Sequence, residues 1–247
     1  YRNEKQELIP QEKLTVAYPF TCEFDIECGT YQSANRGIFS FINLSEEDQG
    51  RLWIDIYNIG KKYVYMRFYA GYGDIMPLIF EGWILECTSE KRGGSTEFIT
   101  QMQVIDAGML YQYGFLNATF SKGTTLASIV KVATQGVENA KIGYITPDIS
   151  PIKRDRTFIG QPINLLSREY SAYKVFVDRG EINVLGDRDV LPGEVQVITD
   201  ESGLLGSPKR ANGFVYCDMI FEPQLRVAQA ISLIIETLPW LNQAYQM

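Results

Sequence analysis

Hydrophobic residues along most of this chain alternate with polar or small neighbours, or occur in short runs rich in Ile, Val, Phe and Tyr. This pattern predicts β-strands separated by turns. In the first half of the chain, the predicted strands cover residues 14–28, 38–42, 62–69, 78–87 and 96–105. Strands of this number can close into a barrel, which removes the unpaired edges that would otherwise recruit other chains. We therefore predict a first barrel from about Leu14 to Leu116.

Three segments show the features of helices. Ser45 can cap a helix in which apolar residues recur at helical spacing up to Gly60. The clearest helix follows residues 123–125 and has apolar residues at positions i, i+3, i+4 and i+7, namely Leu126, Ile129, Val130 and Ala133. A third helix is predicted to open at Pro162, followed by a hairpin over 174–185. The middle of the chain therefore predicts a small α/β unit.

A second barrel is predicted to start after the break at 191–193, where strand patterns return. Its strands would cover residues 194–199, 213–221 and 225–236. The chain then reaches a turn-like segment, 239–243, with too few strands for closure. We therefore expect an incomplete second barrel and a full protein that extends beyond Met247.

The composition limits the partners that the chain can have. Its 247 residues are 45% hydrophobic and rich in Phe and Tyr, which suits a mainly β protein of α+β class with a sizeable core. Lys and Arg number 23 against 30 Asp and Glu, so the net charge is −7. Affinity for nucleic acid comes largely from cationic side chains. We therefore expect no specific nucleic-acid binding.

The cysteines are interpreted as reduced thiols in apolar packing. The sequence has no histidine and no C-x-x-C spacing among Cys22, Cys28, Cys87 and Cys217. Cys22 and Cys28 would share a face with Phe24 if residues 20–28 formed one strand. No apolar run approaches the roughly 20 residues of a membrane helix, and no secretion segment is evident. We expect a soluble chain without a membrane partner.

Enzymatic chemistry finds little support in the sequence. The absence of histidine excludes His-based triads and most zinc sites. Ser171 and Lys174 match S-x-x-K, but that motif needs a helix and a strand is predicted to begin at Lys174. Asp25 and Glu27 would lie roughly 7 Å apart on one strand, a separation that suits an inverting glycosidase but that nearly every acidic strand provides. Residues 187–189 resemble a solvated turn more than a calcium loop. We expect no enzyme, no catalytic residue, no cofactor and no metal.

Four pieces of the first barrel keep one order and spacing over about seventy residues. They are a strand ending in Asn43-Leu44-Ser45, the capped helix, Ala70-Gly71-Tyr72-Gly73 and Ile79-Phe80-Glu81-Gly82. Together they resemble the first barrel of phage tail baseplate hub proteins. Gly123-Thr124-Thr125-Leu126 resembles the start of the hub's middle unit, and Gly203 to Pro208 with the strand that follows resembles its second barrel. The resemblance covers nearly the whole chain.

The resemblance implies two tail-tube-like β-barrels flanking a small α/β unit. The three units would span residues 1–118, 119–190 and 191–247. It also implies a non-enzymatic homotrimer whose six barrels form a ring that joins the tail tube to the central spike. The tape measure and other baseplate proteins would be further partners. The protein would be found in the tail baseplate of the virion and, during assembly, in the host cytoplasm.

A row of acidic residues provides the site hypothesis. Glu23, Asp25 and Glu27 would line one face of the first strand, opposite its apolar residues. In a hub ring we hypothesise that they face a DNA channel, where negative charge would let DNA pass without binding. The alternative, an ordinary solvated outer face, is equally compatible with strand alternation.

Two other functions stay open on the sequence. One is a neighbouring tail component with the same barrel, such as a distal tail or tube-initiating protein. The other is a carbohydrate-binding or cell-wall hydrolysing β protein. A two-barrel layout separates the hub from a single-barrel component, and glycan binding by the isolated chain would favour the last class.

Overall fold

The computed structural model describes residues 13–30, 34–52, 64–106, 114–135, 140–236 and 239–246. Strands greatly outnumber helices in these residues, so the mainly β prediction is confirmed. Within the same ranges, no helix is long and apolar enough to cross a membrane.

The first part of the chain forms one five-stranded antiparallel sheet with the order β1-β2-β5-β4-β3. Its strands are β1 (Cys22–Glu27), β2 (Arg36–Ile42), β3 (Tyr65–Tyr69), β4 (Leu78–Lys91) and β5 (Phe98–Ile105). The sheet curls into a half-barrel. The curl brings the ring of Phe24 on one edge strand within 4.8 Å of the ring of Phe68 on the other, centroid to centroid.

Apolar side chains from alternate positions fill the concave side of this half-barrel. Phe39, Phe80, Met102 and Val104 are buried there, with Phe24 and Phe68 at the margin. Position 82 favours glycine for a steric reason, because a Cβ there would collide with the carbonyl oxygen of Ile105. The missing side chain at Gly82 therefore lets the backbones of β4 and β5 approach each other closely.

A short helix, α1 (Glu46–Leu52), follows β2. Its cap is as predicted: the backbone N–H of Asp48 donates to Ser45 Oγ at 3.1 Å. Acidic residues occupy its first turn, where they stabilise the positive end of the helix dipole. The predicted continuation through Trp53 to Gly60 lies outside the described residues.

The middle of the chain combines helices and strands, and we call it the α/β unit. It comprises β6 (Leu116–Phe120), α2 (Leu126–Thr134), β7 (Lys141–Ile145), β8 (Arg156–Gly160), α3 (Pro162–Glu169), β9 (Tyr173–Asp178) and β10 (Glu181–Gly186). The strands form a sheet of order β7-β10-β9 and a ladder of β6 with β8. Both helices bury their apolar faces in one core with these strands. The two helices and the β9–β10 hairpin were predicted, whereas β6, β7 and β8 were not.

The last part of the chain forms two small sheets over a shared core. Its strands are β11 (Gln196–Thr199), β12 (Leu204–Ala211), β13 (Phe214–Met219), β14 (Ala230–Ile234) and β15 (Gln243–Gln246). The sheets have the orders β11-β14-β15 and β12-β13. Ile198, Leu233 and Ile235 lie between them, against Val215 and Met219.

Three sequence predictions need correction. The first strand covers 22–27 rather than 14–28, because Pro19 has no N–H to donate to a ladder. Cys28 therefore lies outside the strand and is exposed, whereas Cys87 is a buried thiol as expected. The strand predicted over 225–236 begins only at Ala230, after a turn in which Ala228 has φ 64°.

The turn predicted after residue 238 also differs. Residues Pro239–Leu241 form a short 3-10 helix, and the chain then continues into β15. Leu241 is buried in the core of the last part. Burial of this one side chain anchors the segment that the sequence pattern marks only as a turn.

Candidate assembly surfaces and the polar joint

The predicted acidic row lies on the convex face of the half-barrel. Glu23, Asp25 and Glu27 are exposed, and they alternate with residues of β1 that face the concave core. Their direct neighbours on β2 are Ser40, Ile38 and Arg36, in that order. The strand alternation expected from the sequence is therefore present, and the acidic row runs along an edge strand of the described sheet.

Strand register extends this row across the sheet. Ile38 pairs with Gln103, which pairs with Glu86, and Ile42 pairs with Ile99, which pairs with Glu90. Paired residues point to the same face of a sheet. Glu86 and Glu90 are exposed and therefore belong to the surface that carries the β1 carboxylates. The sequence alone did not reveal them, because a bulge after Ile84 shifts the register of β4.

We call this surface the acidic face. Its exposed carboxylates are Glu23, Asp25, Glu27, Glu86 and Glu90, and Arg36 and Arg67 are its cations among the described strands. Arg67 is already paired, because its Nε donates to Glu81 Oε2 at 3.0 Å. The Glu81 carboxylate is buried, so this pair is part of the sheet's structure rather than of its outer charge. The acidic face is therefore strongly negative.

A second surface is apolar and uncharged. On the outer side of the β11-β14-β15 sheet, Val197 and Ile234 are about half exposed, and the register places Ser232 and Thr199 beside them. Val195 lies just before β11 and is half exposed as well. These side chains carry no charge. Contiguous exposed apolar residues of this kind are typical of protein–protein contacts.

The first sheet is attached to the α/β unit by a group of polar residues that we call the polar joint. It comprises Asn35, Asp106, Asp178, Arg179, Glu181 and Arg226. The buried Asn35 donates from Nδ2 to the carbonyl of Val177 at 2.8 Å. The buried Asp106 accepts the backbone N–H of Gly180 at 3.0 Å. The two contacts join the ends of first-sheet strands to β9 and to the turn that follows it.

The last part of the chain enters the same joint through Arg226. Its guanidinium donates twice to Asp178 Oδ2, from Nε at 3.1 Å and from Nη2 at 2.8 Å. Nη2 also approaches Glu181 at 3.5 Å. Burial alone would lower the pKa of Arg226, but attraction to Asp178 and Glu181 outweighs it and raises that pKa. The joint therefore connects all three parts of the chain.

Asp106 is the most perturbed carboxyl group of the joint. Its side chain is almost completely buried, and burial is the largest cause that raises its pKa, followed by the negative charge of Asp178. The backbone N–H groups of Gly180 and Arg179 lower the pKa in part, and the resulting value is about 7 instead of 3.8.

The residues of the S-x-x-K match and of the turn at 187–189 lie in local structure. Lys174 lies in β9, and its Nζ donates to the carbonyl of Asp187 at 2.9 Å, while Ser171 lies in the preceding turn. Asp189 accepts from the backbone N–H of Gly186 and from Thr146 Oγ1, so it stabilises a turn. Among the described residues, no group of three or more His, Cys, Asp and Glu side chains is arranged to hold a metal ion.

No protein-family model matches the sequence, and no curated protein matches it significantly. Solved structures do have a similar fold. The 43 kDa tail protein of prophage MuSo2 from Shewanella oneidensis matches with a TM-score of 0.51 and 10% identity, over 88% of this chain and 69% of its own. A tail protein from Neisseria meningitidis MC58 matches with a TM-score of 0.50 and 12% identity, over 87% and 67%.

A third similar structure comes from a secretion apparatus. It is an E. coli protein described as a component of the type VI secretion system with structural similarity to two tail proteins of bacteriophage T4. Its TM-score is 0.52 at 9% identity, over 82% of this chain and 60% of that protein. At such identities the likeness shows the fold, which is one found in phage tail proteins.

Proposed function

We propose that this chain is a structural subunit of a phage tail baseplate, acting as a hub rather than as an enzyme. The observation that carries the proposal is the likeness of nearly the whole chain to two proteins described as tail proteins. Fold alone does not fix function. The two surfaces described above supply the further support, because a hub needs contacts between subunits and an inner wall.

In this proposal three copies form a ring with pseudo-sixfold symmetry between the tail tube and the central spike. The tape measure and other baseplate proteins are its further partners, and the virion baseplate is its location after assembly in the host cytoplasm. The barrel units 1–118 and 191–247 of each copy supply the six repeats of that ring, and the α/β unit 119–190 connects them. The uncharged apolar face that includes Val197 and Ile234 is suited to contacts within it.

The acidic face is assigned to the channel wall. DNA binds proteins mainly through cations that displace its counterions, so a wall of carboxylates lets DNA slide. Glu23, Asp25 and Glu27 form an exposed row on it, and Glu86 and Glu90 extend that row. The convex side of a half-barrel can line a central channel when copies are arranged in a ring.

Replacing Glu23, Asp25 and Glu27 together by Lys is expected to slow DNA ejection from virions, because the new cations would hold the passing phosphates. Single-virion ejection timing would measure the change, with an expected slowing of at least about tenfold, as each cation adds a phosphate contact. The control replaces Asp74, Glu194 and Glu201 by Lys, three exposed carboxylates outside the acidic face. Equal ejection times for the wild type and for the variant with Lys at positions 23, 25 and 27 would refute the channel assignment.

The likeness to the type VI component favours a second candidate, a structural part of a contractile secretion apparatus. Such an assembly would not need a DNA channel. Mass spectrometry of purified virions distinguishes the two candidates. Peptides of this chain at a fixed ratio to tail proteins support the baseplate proposal, and their absence from intact virions favours the secretion apparatus.

A further inference from the structure

The polar joint contains more negative than positive side chains. Three carboxylates, Asp106, Asp178 and Glu181, lie around two guanidiniums, Arg179 and Arg226. Arg226 binds Asp178 directly, whereas Arg179 Nη2 donates to the carbonyl of Leu225 at 3.3 Å and its buried Nε has no hydrogen-bond partner within the described part of the chain. Within the described residues, Asp106 therefore accepts from backbone N–H groups but has no ion pair with a cation.

The other groups near Asp106 do not supply the missing positive charge. In the part of the chain that the structure describes, the ionisable groups around Asp106 are Tyr65 on β3, Glu81 on β4, Cys28 after β1, and Asp178 and Arg179 at the β9–β10 turn. Glu181 and Arg226 act on it through Asp178. Glu81 adds a further negative charge, which Arg67 balances. A proton on Asp106 would remove one of the two deeply buried charges of the joint.

We propose that the polar joint is a proton-dependent coupling that holds the first sheet firmly to the α/β unit when Asp106 is protonated and more loosely when it is ionised. Two hydrogen bonds depend on this joint. Asp106 accepts the N–H of Gly180, and the carbonyl of Gly180 accepts the N–H of Lys141 at the start of β7. Opening of the joint would therefore expose the backbone amides of the β9–β10 turn and of β7.

The direction of the pH dependence follows from the burial of Asp106. Its pKa in the closed joint, about 7, lies above the ordinary 3.8, so the closed joint binds the proton more tightly than the open one. The stabilising effect is complete below about pH 4 and is lost as the pH rises to about 7. Over that window the opening equilibrium should rise roughly tenfold per pH unit and then level off.

Hydrogen exchange of the amides of Gly180 and Lys141 between pH 5 and 9 tests the proposal, after correction for the intrinsic pH dependence of amide exchange. In the wild type, opening should increase by at least about tenfold between pH 5 and pH 7. In Asp106→Asn, whose amide oxygen can still accept the Gly180 N–H but carries no charge, the increase should vanish. Asp74→Asn, which removes an exposed carboxylate from the β3–β4 loop, serves as the control and should behave as the wild type.

The same increase in Asp106→Asn as in the wild type would overturn the proposal. A second measurement protects the test against a variant that fails to fold: the carboxyl carbon of Asp106 can be titrated by NMR in the wild type. A midpoint near 7 supports the coupling, and a midpoint near 4 contradicts it.

Discussion

Truncation of Phe39 to Ala is expected to lower the free energy of unfolding by about 3–5 kcal/mol, the largest effect of any single change that we predict. Phe39 is completely buried on β2. Its ring lies 4.8 Å from that of Phe68 and 5.9 Å from that of Phe80, measured between centroids. Gly37 is adjacent, and a Cβ there would already touch the Phe39 ring.

The size of this effect follows from what the ring connects. Phe39 on β2 contacts Phe68 on β3, at the other edge of the sheet, and Phe68 contacts Phe24 on β1. Removal of the ring leaves a cavity at the place where the two edges of the half-barrel approach each other, and neighbouring strands cannot collapse into it without uncurling. Chemical denaturation of Phe39→Ala would measure the loss.

A matched control is available in Phe115→Ala. The Phe115 side chain is 69% exposed, so the same chemical change should cost less than about 1 kcal/mol. Equal destabilisation by the two variants would show that the aromatic contacts do not hold the half-barrel together.

Replacement of Arg226 by Ala is expected to lower the free energy of unfolding by about 2–4 kcal/mol. Loss of one member of a buried ion pair costs about 3–5 kcal/mol, because the other charge stays buried without its partner. Asp178 is such a charge, since it is almost fully buried and takes two hydrogen bonds from Arg226. The Arg226 side chain is 36% exposed, and solvent screening therefore reduces the expected cost.

Two further variants show whether the cost comes from the ion pair. Arg188→Ala removes a guanidinium from an exposed turn residue and should change stability by no more than about 0.5 kcal/mol. Asp178→Asn in combination with Arg226→Ala should recover part of the loss, because the buried charge of Asp178 is removed together with its partner. A cost for Arg226→Ala no greater than that for Arg188→Ala would contradict the role of Arg226 in the polar joint.

Much of the fold could be predicted from local sequence. The caps at Ser45 and Thr125 mark the starts of two helices, and Pro162 opens the third. Alternation along β1 correctly separates the carboxylates from the core residues. These features depend on neighbours within a few positions, which is the range over which periodicity and capping act.

The parts that escaped prediction depend on distant partners. Asn35 and Val177 are 142 residues apart, and Gly180 and Asp106 are 74 apart. Nothing in the sequence near Asp106 indicates that it is buried, because groups around it, such as the β9–β10 turn, are distant in sequence. Glu86 and Glu90 join the acidic face only through the register of β4 with β5, and alternation does not specify register between strands.

The mass of the purified chain in solution, measured by light scattering alone and with a co-expressed spike candidate, tests the central claim most directly. The hub proposal predicts a particle of three times the 28.1 kDa subunit mass in at least one of the two conditions, with any bound spike added. Dependence on the spike would be consistent with it, since a partner can offset the entropy cost of association. A monomer of 28.1 kDa in both conditions would contradict the proposal.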